Sequence, residues 1–154
     1  MPPLNILLLE DSRFDAALIA KELKELQHPF SLDAIQSEAE LRCALAFRWP
    51  DIILSDHGLP SFDGFKALAI VREERPELPF IFVSGSNNQQ MVVDMHDLGA
   101  TDYVFKRELS NLCPSIHRAL TASGKIRASE TTQDWELDEL TGPLTVSSTG
   151  RVQF

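Results

Sequence analysis

The chain has 154 residues, 44% of them hydrophobic, which is enough for one compact domain with a short appendage. Its 14 basic and 23 acidic residues give a net charge of −9, which repels phosphate backbones and anionic lipid and argues against nucleic acid or a membrane as a partner. No run reaches the roughly 18 consecutive apolar residues that cross a bilayer, and the first residues lack a secretory signal pattern, so we expect a cytoplasmic protein.

Short apolar runs alternate with longer amphipathic stretches, the order that indicates strand, helix, strand in a parallel sheet. Three of the runs are almost continuously apolar, as expected for central strands covered on both faces. We therefore predict an α/β fold with a doubly wound sheet. The five predicted strands comprise residues 4–9, 30–35, 52–54, 80–83 and 102–105.

Residues that cap helices stand before each amphipathic stretch. Ser37, with Glu40 three residues later, has the spacing of a capping box. Pro114 falls in the first turn of the last predicted helix, where a missing backbone N–H is tolerated. The predicted capping residues are Ser12, Ser37, Asp63, Asn87 or Asn88, and Ser110.

The helical pattern ends near Ser123, and residues 124–154 are richer in Ser, Thr and Gly. We divide the chain into a domain of residues 1–123 and a C-terminal tail or linker of residues 124–154. The tail is too short for an independent core, so its apolar residues Trp135, Leu137 and Leu140 either pack on the domain or another chain, or belong to a flexible linker.

Five polar residues stand where four of the predicted strands end. Glu10 and Asp11 follow the first strand, Asp56 the third, Ser84 the fourth and Lys106 the fifth. Because the carboxyl ends of parallel strands meet at one edge, where ligands bind in a crevice, we expect these side chains to lie close together.

Three carboxylates in one crevice repel one another, so we expect a divalent cation to keep them ionised. Ligand sets made only of oxygen favour magnesium (Mg2+), which retains waters and leaves space for a phosphoryl oxygen. Lys106, Ser84 and the backbone amides after Asp56 could neutralise a phosphoryl group during its transfer.

The polar residues stand within four longer motifs: Leu9-Glu10-Asp11, Leu54-Ser55-Asp56-His57-Gly58-Leu59-Pro60 followed by Asp63-Gly64, Val83-Ser84-Gly85, and Gly99-Ala100-Thr101-Asp102-Tyr103-Val104-Phe105-Lys106. In these motifs the chain resembles the receiver domain of two-component response regulators, over roughly residues 4–122. The resemblance implies a flavodoxin-like sheet of strand order 2-1-3-4-5 with five helices, and makes residues 1–123 a receiver domain.

The resemblance also implies roles for the site residues. Asp56 would be the nucleophile that accepts a phosphoryl group from the phosphohistidine of a sensor histidine kinase or phosphotransfer protein, with Lys106 and Ser84 assisting. Asp11 and Asp56 would bind Mg2+ directly, Glu10 through water, and Gly58 through its backbone carbonyl. The protein would catalyse its own phosphoryl transfer and dephosphorylation, without being a dedicated enzyme.

The family's conformational switch maps onto Ser84 and Tyr103. Ser84 would move toward the phosphoryl group and the Tyr103 ring would turn into the vacated space, changing the face built by the fourth helix, fifth strand and fifth helix. A downstream protein, whose identity the sequence does not give, would bind that face. We also consider a homodimer formed through this face or through the tail.

Two departures from the family pattern affect these expectations. Arg107 stands where the family usually has proline after the lysine, so we expect a trans peptide there, since a cis bond without proline costs roughly 3 to 4 kcal/mol. The path of the following loop and the placing of Lys106 stay open. Gly58 has no side chain to cover the phosphoryl group, so we expect a short-lived phosphorylated form.

Other functions fit less well. The chain could be the input portion of a larger enzyme such as a diguanylate cyclase, because residues 138–142 faintly resemble the start of such domains, but too few residues follow for a cyclase active site. An aspartyl phosphohydrolase would carry its nucleophile after the first strand and a second acid where Arg13 stands. The intact set of polar residues argues against a scaffold that is never phosphorylated, and the tail shows no helix-turn-helix for direct transcriptional output.

Overall fold

The computed structural model describes residues 3–56, 62–85 and 88–125, together with the backbone of 147–148 and 150–151. The chain divides into two compact units, residues 1–123 and 124–154. In the second unit the two short strands Ser147–Ser148 and Gly150–Arg151 pair with each other. The tail residues Trp135, Leu137 and Leu140 lie outside the described residues, so their packing stays a prediction.

The first unit is built on a five-stranded sheet of order β2-β1-β3-β4-β5 in which every neighbouring pair is parallel. This order and the alternation of strands with five helices confirm the predicted flavodoxin-like fold. The strands are β1 Leu4–Leu9, β2 Phe30–Ile35, β3 Ile52–Ser55, β4 Phe80–Ser84 and β5 Asp102–Phe105.

Burial explains why these segments form strands. Every residue of β3 and β4 is buried, as is all of β1 except Asn5, because helices cover both faces of the sheet centre. The edge strands β2 and β5 are only partly buried. Alternate residues point to opposite faces, so Leu7, Leu9 and Ile53 pack into one core with the helices Glu38–Phe47 and Gly64–Glu74.

Four of the five helices begin directly after a predicted capping residue. Ser12, Ser37, Asp63 and Asn88 precede the first four helices, and each side chain accepts a hydrogen bond from a backbone N–H of the first turn. The helices are α1 Arg13–Leu23, α2 Glu38–Phe47, α3 Gly64–Glu74, α4 Gln89–Asp97 and α5 Leu112–Ala122, with 3-10 helices at Lys24–Leu26 and Lys106–Asn111.

The predicted cap of the last helix was wrong. Ser110 lies inside the 3-10 helix Lys106–Asn111, and α5 begins at Leu112 after Asn111, whose side chain makes no capping hydrogen bond. The reason is that the chain leaves β5 directly in a tighter helical turn, which leaves no extended residue at position 110. Pro114 does lie in the first turn of α5, as predicted. Among the residues described, no helix is long and apolar enough to cross a membrane.

Candidate functional site

The ends of β1 and β3 bring three acidic side chains together. Glu10 and Asp11 directly follow β1, and Asp56 directly follows β3. The backbone N–H of Asp56 donates to the carbonyl oxygen of Leu9 at 3.0 Å, which holds the two strand ends side by side. One carboxylate oxygen from each of the three acids lies within 4.8 Å of the other two. The predicted acidic cluster is therefore present.

The three acids differ in their exposure to solvent. Glu10 is 2% exposed, Asp56 is half-buried and Asp11 is exposed. Burial raises the pKa of the Glu10 carboxyl above its usual range, because the charged form loses its hydration. The Lys106 ammonium, 2.9 Å from Glu10 Oε1, and a hydrogen bond from the backbone N–H of Ser12 to Glu10 Oε2 at 3.1 Å partly offset that rise in pKa.

Lys106, the first residue after β5, extends its ammonium group into this acidic cluster. Its Nζ atom lies 2.7 Å from Asp15 Oδ2, 2.9 Å from Glu10 Oε1 and 3.2 Å from Asp56 Oδ2. Burial alone would lower the pKa of the ammonium, but the close contacts with the Asp15 and Glu10 carboxylates and the charge of Asp56 raise that pKa above its usual value. Lys106 therefore stays protonated beside the Asp56 carboxylate.

Sequence reasoning missed Asp15. This residue lies in the first turn of α1, and it contacts Lys106 across 91 positions of sequence. Its only sequence signal is an acidic residue shortly after the first strand, which is also what the positive end of a helix dipole favours. The pattern alone could not separate these two roles.

Ser84 and Tyr103 lie near the same edge of the sheet, on neighbouring strands. Ser84 is the fully buried last residue of β4 and pairs in register with Phe105 of β5. Tyr103 pairs with Phe82, and its ring centroid lies 6.2 Å from that of Phe82 and 5.3 Å from that of Phe105. The Tyr103 ring is half-buried against the core, where it could take part in a change of packing.

The sequence departs from the family pattern at Arg107 and Gly58. The peptide bond before Arg107 is trans, as expected, and the Arg107 guanidinium lies 5.4 Å from the centroid of the Phe105 ring. Lys106 reaches Asp56 in spite of this substitution. Gly58 and the backbone amides that follow Asp56 lie outside the described residues, so their predicted roles are untested.

This combination of fold and site defines a flavodoxin-like α/β domain whose acidic cluster could bind a metal. The sequence profile of the response regulator receiver domain matches residues 6–117. Since that range covers most of the first unit and more than half of the chain, the protein belongs to the response regulator receiver family of two-component systems. Receiver domains take phosphate from histidine kinases and act on downstream partners.

Individual relatives agree with this assignment. The chain is 34% identical to the DNA-binding transcriptional regulator NtrC of Proteus hauseri over 79 residues, which are 51% of this chain and 17% of NtrC. It is 28% identical to the chemotaxis protein CheY of Listeria monocytogenes over 67% of this chain and 86% of CheY. The chain thus spans less than a fifth of the NtrC relative and most of the CheY relative.

A solved structure of a response regulator has a similar fold. The phosphorylated cyanobacterial phytochrome response regulator RcpA matches with a TM-score of 0.64 and 26% identity, over 78% of this chain and 93% of that chain. Residues 6–117, which match the receiver-domain profile, include the acidic cluster and Lys106.

Proposed function

We propose that this receiver domain accepts a phosphoryl group on the carboxylate of Asp56, from the phosphohistidine of a sensor histidine kinase or phosphotransfer protein, in a reaction that requires Mg2+. The observation that carries the proposal is the half-buried Asp56 carboxylate, which lies beside two further acids and 3.2 Å from the Lys106 ammonium. An acceptor carboxylate needs both a nearby cation site and a fixed positive partner.

The donor atoms of the acidic cluster fit Mg2+. They are carboxylate oxygens alone, from Glu10, Asp11 and Asp56, and Mg2+ prefers oxygen ligands. When bound there, the ion would neutralise charge on the phosphoryl oxygens and on the three acids. We propose that the Gly58 carbonyl, predicted from the sequence, completes the protein ligands.

The side chains of this domain would perform the remaining steps. An oxygen of Asp56 attacks phosphorus, so an O–P bond forms while the P–N bond to the donor imidazole breaks, and the imidazole keeps the bonding electrons and takes up a proton. Lys106, already beside Asp56, would bind a phosphoryl oxygen, and the Ser84 hydroxyl would donate to another. Hydrolysis of the same O–P bond by water would return the domain to its resting state.

Ser84 and Tyr103 would convert this chemistry into a change of surface. Ser84 is buried at the end of β4, and the neighbouring strand β5 carries the half-buried Tyr103 ring. Movement of Ser84 toward the phosphoryl group would allow the ring to turn inward, which alters the face formed by α4, β5 and α5. The phosphoryl group shifts this equilibrium only as far as it interacts more strongly with one state.

The partner of that face is a downstream protein, and we propose no contact with nucleic acid or membrane, because the net charge of −9 is unfavourable for both. A homodimer is a further hypothesis, supported by exposed Val93 and Leu98 at α4. A monomer in sedimentation, with and without a phosphoryl analogue, would exclude this homodimer.

The alternative to a stand-alone receiver is the receiver portion of a larger signalling enzyme such as a diguanylate cyclase. NtrC shows that a receiver can belong to a longer protein.

The direct test is incubation of the full chain with Mg2+ and acetyl phosphate, followed by intact-mass measurement. The wild type is expected to gain one phosphoryl group, and Asp56→Asn none. Asp33→Asn is a matched control, because it removes the same charge from an exposed position on β2 whose ion pair is with Arg48. A wild type that gains no mass, or an Asp56→Asn variant that is modified equally, would overturn the proposal.

A further inference from the structure

The ammonium of Lys106 has three N–H donors and meets three carboxylates. The shortest of the three contacts is not with the acceptor or with Glu10 but with Asp15, at 2.7 Å. The Asp15 and Lys106 side chains are about one third and one fifth exposed, so this pair is less screened by solvent than a surface ion pair. Asp15 is therefore a principal partner of the lysine.

Asp15 differs in kind from the other two partners. Glu10 and Asp56 belong to the group of acids that could hold a metal ion, whereas Asp15 does not. A cation and a phosphoryl group at the site would engage the oxygens of Glu10 and Asp56. The contact with Asp15 is the one that Lys106 can keep throughout.

Asp15 and Lys106 also differ in the regularity of the backbone around them. Asp15 lies in a regular helix, where its backbone N–H donates to Ser12 Oγ at 3.2 Å and where Ile19 and Leu23 are buried. Lys106 opens an irregular 3-10 segment in which Glu108 has non-helical backbone angles. The side chain of Lys106 is thus held by a residue of a regular helix that lies far from it in sequence.

We propose that Asp15 is a positioning residue, whose carboxylate holds the Lys106 ammonium beside Asp56 so that an arriving phosphoryl group meets a lysine already in place. This rests on the function proposed above for Asp56. Lysine side chains carry large rotamer entropy, and an anchored ammonium has lost much of that freedom before the reaction begins. Without Asp15, the Lys106 side chain would have to lose this rotamer entropy during phosphoryl transfer, which would slow the transfer.

The variant Asp15→Asn keeps the size of the side chain and the backbone N–H that bonds to Ser12, but it loses the charge that holds the ammonium. We expect phosphorylation by acetyl phosphate to slow by about tenfold, since misplacing a catalytic group by a fraction of an ångström has effects of this order. Asp15→Glu, which restores the charge, is expected to recover part of the rate. The control Asp33→Asn should react as fast as the wild type.

Positioning can be observed without any phosphoryl transfer. In proton–nitrogen NMR at low temperature, a held lysine ammonium gives a resolved signal because its protons exchange slowly with water. We expect one such signal in the wild type, assigned by its loss in Lys106→Ala, and expect it to vanish in Asp15→Asn while remaining in Asp33→Asn. Persistence of the Lys106 signal in Asp15→Asn would overturn the proposal.

A double-mutant comparison separates positioning from a general effect of charge. If Asp15 acts through Lys106, Asp15→Asn should slow the wild type but cause no further slowing in a Lys106→Ala background. Equal slowing in both backgrounds would contradict the inference. If the wild type takes up no phosphoryl group but its ammonium signal still depends on Asp15, the assigned role of Asp56 fails and the Asp15–Lys106 contact stands.

Discussion

Burial gives the two cysteines of this chain different chemistry. Cys43 is exposed on α2, and Cys113 is buried in α5, where its Sγ atom lies 3.4 Å from the carbonyl oxygen of Glu22. Burial, with a smaller contribution from the charges of Glu22 and Glu25, raises the pKa of the Cys113 thiol to about 12. Only the thiolate reacts with alkylating reagents, so the fraction of reactive Cys113 is very small at neutral pH.

We predict that iodoacetamide at about pH 8 adds one group to the native chain, at Cys43, because Cys43 is exposed whereas the Cys113 thiol is buried and has a raised pKa. Raising the pH toward 9 should still leave Cys113 unmodified, since the pH stays well below the raised pKa of its thiol. Intact mass and peptide mapping would measure this. The Cys43→Ser variant should stay unlabelled until urea unfolds it, and rapid labelling of that native variant would contradict the prediction.

At the scale of a helix, the start of α2 shows how local sequence sets an element boundary. Ser37 Oγ accepts from the backbone N–H of Glu40 at 3.2 Å, and the Glu40 carboxylate accepts from the backbone N–H of Gln36 at 2.9 Å. Two backbone donors that the helix itself cannot satisfy are thus satisfied by side chains. The hydrogen bond from Gln36 also lowers the pKa of the Glu40 carboxyl, in keeping with a favoured charged form.

We predict that Ser37→Ala lowers the free energy of unfolding by about 1 kcal/mol, the usual loss when an N-cap hydroxyl is removed. Ser37→Asp retains an acceptor at the cap and should lose much less. Urea denaturation of both variants, followed by circular dichroism, gives the comparison. Equal stability of Ser37→Ala and the wild type would show that the cap contributes nothing to the folded state.

The elements were predictable wherever the cause was local. Strand β4 begins with a continuous apolar run, residues 80–83, and the caps at Ser12 and Asp63 depend on residues within one helical turn. The start of α5 was not predictable, because the 3-10 segment that displaces Ser110 follows from the direction in which the chain leaves β5. The role of Asp15 was not predictable for a related reason, because its contact with Lys106 joins residues far apart in sequence.

At the scale of the whole molecule, the acidic site adds to an existing excess of negative charge. The chain carries a net charge of −9. Glu10, Asp15 and Asp56 share the ammonium of Lys106, and Asp11 adds a further carboxylate beside Glu10 and Asp56. Such a cluster destabilises the folded state relative to the unfolded chain, in which the same charges separate and are hydrated. A cation that binds only the folded form should therefore stabilise it.

We predict that Mg2+ raises the melting temperature of the unphosphorylated protein by a few degrees at constant ionic strength. At a concentration about ten times its dissociation constant, an ion that binds only the native state stabilises it by about 1.4 kcal/mol. Asp11→Asn removes a carboxylate from the cluster and should reduce this shift, whereas the exposed control Asp33→Asn should retain it. Because both variants lose one negative charge, a difference between them cannot come from net charge. An equal shift in Asp11→Asn and the wild type would place the bound ion elsewhere.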